Sequence, residues 1–394
     1  MAISSNPLRG EDVRQKNEKL ILHAILQHGS ISQSEIVSLT GLKAPTVLRI
    51  FSYLEKNGLI QVNEQAQRDN GDRKGRRPVY FQVNPRVHYV IGIELWSKQV
   101  SLVVTDFAKR PVYSRTLVDD AMEYSEQLYR HIAEMITEAV DSLGLDQSQI
   151  LGIGVGAPGR IKVTNGEIIY YSRIKNLENF PLGKRLEEEF GLPVMVNNNA
   201  SVLAVNAFRR GQMDSSRTLL TILIRTGVGG AYICHGTLLT PQGRTAVELG
   251  HLSVDMHGRE CVCGAKGCLE TYLSEVALRE DAADALGTAS LEDLDKRIAE
   301  QEPRTLEFMK QRAEYLSVAA RDLYRLFAPD TILIITRYEH ISKCYRDMIY
   351  RTLQEDSFCH KEQGVEVTAS VYDPEEACRG AADLIFDAYF MMEQ

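Results

Sequence analysis

The chain has 394 residues, of which 25% are charged, and a formal net charge of −8. Because a single hydrophobic core stops growing below this length, we expect about two or three domains. No stretch approaches the roughly 20 apolar residues of a membrane span, and the polar N-terminus lacks the apolar core of a signal peptide. These features exclude an integral membrane protein and predict a cytoplasmic one.

The charge is unevenly distributed along the chain. Residues 1–86 contain 13 Lys and Arg against 8 Asp and Glu, whereas the remainder contains 32 against 45. A basic N-terminal part followed by an acidic body is consistent with a nucleic-acid-binding module joined to a domain that has another partner.

Three helices are predicted in the N-terminal part. Apolar residues recur at helical spacing from Val13 to Leu26, which predicts the first helix. Ser32 and Glu35 form a capping box that starts the second helix, with Leu39 facing inward. Pro45 starts the third helix, where its missing N–H group costs nothing.

The third helix is predicted to have one buried and one polar face. Val47, Phe51 and Leu54 form the buried stripe. The polar residues on the opposite side, from which a recognition helix contacts base edges in a major groove, are Lys43, Thr46, Arg49 and Ser52.

A basic wing is predicted after the third helix, between short strands at Leu59–Val62 and Val79–Val83. The intervening polar segment contains the basic residues Arg73, Lys74, Arg76 and Arg77. Their guanidinium groups could enter a narrow, A·T-rich minor groove. The alternative is a solvated, mobile hairpin tip, but the order of helices and wing favours DNA binding.

After Pro85 the pattern changes to strands that alternate with helices. The predicted elements are a hairpin at 90–95 and 100–105, a helix at 120–142, a strand at 150–155, a tight loop at 156–159, a helix at 181–190, a strand at 193–196, a helix at 201–210, a hairpin at 219–224 and 231–234, helices within 305–327, a strand at 331–335 and a final helix at about 374–391. Two such α/β lobes imply a ligand-binding cleft between them, and the final helix is expected to pack back on the first lobe.

The segment from Glu248 to Glu270 carries the most specific motif. One imidazole and three thiols within 18 residues can form a closed tetrahedral zinc site, and these ligands are His251, Cys261, Cys263 and Cys268. Gly264 and Gly267 allow the turns between them, and the flanking Glu248 and Glu270 are suited to binding hydroxyl groups. Unrelated buried thiols are the alternative, but the spacing favours a metal site. The remaining cysteines, Cys234, Cys344, Cys359 and Cys378, are predicted to be free thiols in a reducing compartment.

On these residues the chain resembles the ROK family of repressors and sugar kinases, specifically its NagC/Mlc-type transcriptional regulators. The motifs that carry the resemblance are the winged helix, the loop at 156–159, Thr226-Gly-Val-Gly-Gly230, Glu248-Leu-Gly-His251 and Cys261 to Glu270. The resemblance implies an α/β protein with an N-terminal winged helix-turn-helix and a two-lobed, actin-like ATPase (ribonuclease H-like) ROK body. The domains would be residues 1–84, a first lobe at 85–200 plus about 374–394, and a second lobe with the zinc site at 201–373.

The same resemblance implies one structural Zn²⁺ per subunit, dimers or tetramers that bind operator DNA, and a sugar pocket in the cleft. The residues implied to line that pocket are Asn198, Asn199, Glu248, His251 and Glu270. A relic pocket that binds nothing is the alternative. Retention of both carboxylates beside a complete set of metal ligands favours a site that still binds.

The parts that a ROK kinase uses for phosphoryl transfer are altered here. Asn199 stands where the kinases have a catalytic aspartate, and an amide cannot accept the proton, a contribution typically worth about 10²–10⁴-fold. Leu95 and Trp96 replace the glycines of the first phosphate turn, and Thr336-Arg337 replaces a later glycine pair. Only the turn at 226–230 survives.

We therefore predict a sugar-responsive transcriptional regulator, a repressor, whose degenerate kinase body senses a small sugar or sugar phosphate. The alternative is an ATP-dependent, zinc-containing sugar kinase with an added DNA-binding module. A third possibility is control by a protein partner, such as a membrane sugar-transport component that sequesters the repressor.

Overall fold

The computed structural model describes residues 10–69, 78–211, 213–214, 216–240, 247–358 and 364–390. The N-terminal part consists of α1 (Gly10–His28), β1 (Ile31–Ser32), α2 (Gln33–Thr40), α3 (Ala44–Lys56), β2 (Ile60–Val62), α4 (Glu64–Asp69) and β3 (Tyr80–Val83). The three strands form an antiparallel sheet in the order β1-β3-β2. The predicted capping box is present, because the Ser32 amide donates to the Glu35 carboxylate and the Glu35 amide donates to the Ser32 hydroxyl.

Two expectations about this part need correction. Leu39 is 55% exposed, because the short α2 buries only Ile36. The polar segment after β2 is not all hairpin, since α4 occupies its beginning. Arg73, Lys74, Arg76 and Arg77 lie outside the described residues, so the basic wing tip stays a prediction.

The first lobe is a five-stranded sheet in the order β10-β7-β4-β5-β6. Its elements are β4 (Tyr89–Trp96), β5 (Gln99–Asp106), β6 (Pro111–Val118), α5 (Ser125–Leu143), β7 (Ile150–Ala157), β8 (Arg160–Lys162), β9 (Glu167–Tyr170), α6 (Leu182–Phe190) and β10 (Val194–Asn198). The hairpin and the helices were predicted within a few residues. Strand β6 was missed, because it is a mostly exposed edge strand without a buried apolar run.

The second lobe is a five-stranded sheet in the order β13-β12-β11-β14-β15. Its elements are α7 (Asn199–Arg210), β11 (Leu219–Ile224), β12 (Val228–Cys234), β13 (Thr237–Leu238), α8 (Glu270–Leu273), α9 (Glu275–Leu286), α10 (Leu291–Ala299), α11 (Pro303–Phe327), β14 (Thr331–Thr336), α12 (Glu339–Glu355) and β15 (Glu366–Val371). Helix α7 spans the predicted boundary between the lobes, and the boundaries themselves stay a prediction.

The last helix, α13 (Pro374–Phe390), packs back on the first lobe as expected. Its backbone lies directly on the sheet, since a Cβ added to Gly154 of β7 would lie 1.9 Å from the Ala381 carbonyl oxygen. Helix α7 packs on α13 and also on β11 and β12 of the second sheet. The α7–α13 pair therefore lies between the two sheets.

The winged helix shares its core with the first lobe. Ile21 and Ile25 of α1 belong to the same buried cluster as Phe107 and as Ile385 and Phe386 of α13. His23 of α1 lies against Phe390, with ring centroids 4.9 Å apart. The N-terminal part is thus packed onto the C-terminal helix.

Candidate effector and metal site

A cavity of about 210 Å³ lies between the lobes. All five residues expected to line a sugar pocket, Asn198, Asn199, Glu248, His251 and Glu270, line this cavity. The structure therefore brings together residues from β10, α7 and the segment before α9. The expected roles of these residues remain hypotheses, but their convergence on one cavity is a property of the fold.

The first-lobe side of the cavity is formed where β10 meets α7. Asn198 caps the helix, because its Oδ1 accepts from the Ala200 amide at 2.9 Å while its Nδ2 donates to the Gly159 carbonyl at 2.8 Å. Asn199 donates through Nδ2 to the Leu95 carbonyl at 3.0 Å, and its buried Oδ1 has no hydrogen-bond partner within the described residues. The amide at the start of α7 therefore keeps one unsatisfied acceptor.

On the second-lobe side, the glycines of the turn at 226–230 make room for Glu270. A Cβ at Gly227 would lie 2.7 Å from Oε2 of Glu270, which accepts from the Val228 amide at 3.1 Å. A Cβ at Gly230 would lie 2.7 Å from the Leu249 Cβ. Gly230 is therefore needed for packing, and Gly227 leaves the Glu270 carboxylate in its place, whether or not the turn also binds phosphate.

The four predicted metal ligands converge beside the cavity. Their ligand atoms all lie within 4.8 Å of one another, and the four residues are His251, Cys261, Cys263 and Cys268. The Cys261 Sγ and His251 Nδ1 atoms are 3.6 Å apart, as are the Cys263 and Cys268 Sγ atoms. Bonds of about 2.0–2.3 Å arranged tetrahedrally give ligand separations of this size.

The loop that carries these ligands has little regular structure of its own. Gly264 and Gly267 adopt positive φ angles of 89° and 68°, as the predicted turns require. Burial raises the pKa of the Cys268 thiol to about 12, whereas the Ala265 backbone amide lowers the pKa of the Cys263 thiol. Without a cation Cys268 would be protonated at neutral pH, so a bound metal would have to displace its proton.

A buried polar cluster packs around Trp96, which lines the cavity. The Arg225 guanidinium lies between two aromatic rings, 4.2 Å from the Trp96 centroid and 4.0 Å from the Tyr372 centroid. The Tyr372 hydroxyl accepts from the Trp96 indole at 3.1 Å and donates to the Glu94 carboxylate. The Arg225 Nε atom also lies 3.8 Å from Oε1 of Glu275.

The buried environment of this cluster shifts the pKa of Glu94. Complete burial raises the pKa of Glu94 to about 8, and the nearby Arg225 charge only partly opposes that rise. One Glu94 oxygen and two Arg225 nitrogens have no hydrogen-bond partner among the described residues. Sequence analysis missed Arg225 and Tyr372. The available signal was an arginine directly before a glycine turn, at the end of a mostly apolar strand.

The predicted DNA-contacting face is exposed as expected. Lys43, Arg49 and Ser52 are exposed and Thr46 is half-buried, whereas Val47, Ile50, Phe51 and Leu54 of the same helix are buried. The exposed residues lie along one side of α3. Positively charged and hydroxyl-bearing side chains on one exposed helix face are suited to contact phosphates and base edges.

The class of protein defined by these features is a two-lobed α/β body of the sugar-kinase type that carries an N-terminal winged helix. The ROK family model matches residues 90–388, and a winged helix-turn-helix DNA-binding model matches residues 14–61. The chain therefore belongs to the ROK family. Within the described residues, no helix is long and apolar enough to cross a membrane.

Similar proteins include both regulators and kinases. A putative xylose repressor of Caldicellulosiruptor sp. (strain Rt8B.4) is 28% identical over 375 residues, which cover 91% of this chain and 92% of the relative. A solved ROK family transcriptional regulator, a homologue of the E. coli MLC protein, has a TM-score of 0.77, 22% identity and coverage of 96% and 97%. A ROK glucokinase from Streptomyces griseus, solved with glucose and AMPPNP, has a TM-score of 0.64, 23% identity and coverage of 75% and 98%. The regulator thus matches the N-terminal module as well as the body.

Proposed function

We propose that this protein is a transcriptional repressor whose affinity for operator DNA is set by a sugar bound between its lobes. The name of the xylose repressor relative, the exposed polar face of α3 and the convergence of hydroxyl-binding side chains on one cavity support this function. A DNA-binding role also favours a cytoplasmic location.

The observation that carries the proposal is a continuous packed path from the cavity to the DNA-binding part. Helix α7 begins at Asn199, in the cavity, and ends at Arg210. In its last turn Arg209 pairs with Asp383, at 3.0 Å, and with Asp387, both of α13. Helix α13 in turn shares a buried core with α1. A sugar that moves α7 would therefore displace the surface on which the winged helix rests.

Asp383 on this path is buried, whereas its partners Lys109 and Arg209 are each about one-third exposed. The Lys109 Nζ atom lies 2.6 Å from Oδ1 of Asp383, and Arg209 contacts the other carboxylate oxygen. Burial alone would raise the pKa of Asp383, but the Lys109 and Arg209 charges outweigh it and lower that pKa. A carboxylate held between two cations fixes the end of α7 against α13, so the two helices would move together.

We further propose that the body is not a kinase. Asn199 cannot act as a general base, and the Glu94, Trp96, Arg225 and Tyr372 side chains occupy the region beside the turn where the kinases bind phosphate. The alternative, an ATP-dependent sugar kinase, has the structural match to the glucokinase in its favour. Incubation with ATP and a panel of hexoses and pentoses would decide between them, because steady formation of ADP would overturn the non-catalytic proposal.

The His-Cys₃ cluster is proposed to hold one structural Zn²⁺ per subunit. Four soft or borderline ligands at tetrahedral separations leave no open position for a reacting water. The ion would hold the loop between Glu248 and Glu270 in place, and thereby the two carboxylates that face the cavity. Its role would be to shape the sugar site.

Two further features of the proposal concern partners. A dimer or tetramer would place two recognition helices on a pseudo-palindromic operator, as half-site recognition requires. A sugar-transport protein that sequesters the repressor would act in place of a sugar, or together with one. Size measurement with and without DNA, and pull-down from membranes, address these features separately.

The function is tested with a duplex that the protein itself selects from a random-sequence library. Arg49→Ala is expected to weaken binding of that duplex by about 5- to 150-fold, since a lost base or phosphate contact costs roughly 1–3 kcal/mol. Arg279→Ala, on an exposed position of α9, is the matched control. A panel of sugars is then screened for thermal stabilisation and for a change in DNA affinity. If no sugar that stabilises the protein changes its DNA affinity, the sensor function is wrong.

A further inference from the structure

Two arginines lie at the rim of the cavity, at the base of one small hairpin. Strands β8 and β9 pair so that Arg160 is opposite Tyr170, and Arg173 follows three residues later. Both arginines line the cavity and both are exposed. The hairpin thus places two guanidinium groups on the first-lobe side of the site.

The two guanidinium groups are unequally neutralised. Arg160 Nε lies 3.7 Å from the Glu248 carboxylate. Arg173 donates from Nη2 to the Thr226 carbonyl at 2.7 Å and has no carboxylate within 4.0 Å among the described residues. A guanidinium has five N–H donors, so most of the hydrogen-bonding capacity of Arg173 is open to a ligand.

Neither arginine is needed for a neutral sugar. Hydroxyl groups are bound by carboxylates and amides, and the cavity supplies these from Glu248, Glu270 and Asn199. A planar guanidinium instead matches the paired oxygens of a phosphate or a carboxylate. We propose that the effector is a sugar bearing an anionic group, a phosphate ester or a carboxylate, which Arg160 and Arg173 bind at the rim of the cavity. The inference rests on the proposed sugar-sensing function and specifies its ligand.

The same contacts explain how such a ligand would act on the protein. Arg160 and Arg173 belong to the first lobe, whereas Glu248 and Thr226 belong to the second, so both contacts join the lobes. An anionic group competes with Glu248 and with the Thr226 carbonyl for the guanidinium donors. Binding therefore replaces contacts between the lobes by contacts with the ligand, which gives the ligand a preference for one lobe arrangement.

The test compares matched neutral and anionic probes on the full-length protein. Glucose is compared with glucose 6-phosphate and glucuronate, and xylose with xylose 5-phosphate, by calorimetry in low salt. At least one phosphate ester or the sugar acid is expected to bind about tenfold more tightly than its parent sugar, because charge-assisted hydrogen bonds are roughly twice as strong as neutral ones. Added salt should reduce this preference. The two kinds of probe distinguish a phosphate from a carboxylate.

Arg173→Gln is expected to reduce the ratio of anionic to neutral sugar affinity to near one, while Arg173→Lys should retain part of that ratio. Arg279→Gln, an exposed arginine of α9, is the control and should bind as the unaltered protein does. Neutral sugars that bind as tightly as their anionic derivatives, or an unchanged preference in Arg173→Gln, would overturn this inference and leave the sensor function standing. If no probe of either kind binds while DNA binding is intact, the sensor function fails as well.

Discussion

The two sides of the interlobe cavity differ in how accessible their polar side chains are. On the sugar side, Glu248 is half exposed and Glu270 is partly exposed. On the opposite side, Arg225 is enclosed by two aromatic rings and Glu94 is fully buried. The first side offers hydrogen bonds to a ligand, whereas the second side is filled by the protein's own side chains.

Under the proposed function, this difference would allow the fold to bind a sugar without transferring a phosphoryl group to it. In the glycine turn, Gly230 is required for packing against the Leu249 Cβ, and Gly227 leaves room for the Glu270 carboxylate. The space next to that turn has been taken by large side chains. Retention of a glycine motif is therefore weak evidence for nucleotide binding when the residues around it are not also small.

The largest expected effect follows from loss of a metal ligand on the sugar side. Cys263→Ser is expected to lower the bound zinc from about one ion per chain to almost none and to abolish sugar-induced stabilisation, because a structural zinc site needs its complete ligand set. Fluorescence of Trp96, the single tryptophan, should keep the spectrum of a buried indole, since its cluster lies on the other side. Metal analysis and emission spectra are the measurements, with Cys234→Ser as control. Full sugar binding by the metal-free variant would contradict the proposed role of the loop.

A smaller effect is expected from a single carboxylate of the cavity. Glu270→Gln should weaken sugar binding by about 10- to 100-fold, the equivalent of roughly 1.5–3 kcal/mol for a hydrogen bond to a charged group. Zinc content should not change, because Glu270 is not a metal ligand. Calorimetry on this variant and on Glu280→Gln, an exposed position of α9, separates the site from a general charge effect. Equal affinities in the two variants would remove Glu270 from the sugar site.

Local sequence patterns predicted most of this architecture, because apolar periodicity and helix-capping signals depend on residues that are close together in the sequence. The capping box at Ser32 and the ligand cluster at His251 are two such cases. Strand β6 was missed because an exposed edge strand has no buried run, and Leu39 was misplaced because helical spacing does not tell which turn of a short helix reaches the core.

The buried cluster beyond Trp96 could not be predicted for a different reason. Its members come from β4, the end of β11 and the segment after β15, so 278 positions of sequence separate the hydrogen-bonded pair Glu94 and Tyr372. No local pattern links residues at that separation. The resemblance to kinases predicted that Leu95 and Trp96 would fill the phosphate side, but not that Arg225 would lie between two rings there.

The buried cluster predicts a pH dependence of the protein's stability. Burial raises the pKa of Glu94 from its ordinary 4.5 to about 8, so the folded state favours the protonated acid more than the unfolded chain does. Its contribution to stability is full below about pH 4.5 and is lost as the pH rises through about 8. Glu94→Gln should therefore flatten the fall in stability between pH 5 and pH 8 by about 1–3 kcal/mol, measured by urea unfolding at several pH values. An identical pH profile in the variant would show that Glu94 does not titrate in this range.

The smallest expected effect concerns communication between the cavity and the winged helix. Asp387→Asn removes one of the two carboxylates that pair with Arg209 at the end of α7, and leaves Asp383 in place. Because neither ligand touches Asp387, the affinity for sugar alone and the affinity for DNA alone should each change by less than about twofold. The factor by which sugar changes DNA affinity should fall by about two- to fivefold. A change of this size lies within the roughly 0.5–2 kcal/mol typical of residues that carry coupling. DNA binding is measured by anisotropy with and without saturating sugar, and Asp284→Asn, an exposed position of α9, is the control. A coupling factor that is unchanged in Asp387→Asn would show that movement of α7 reaches the DNA-binding part by another route. Loss of both individual affinities would instead show that this ion pair supports the fold and not the signal.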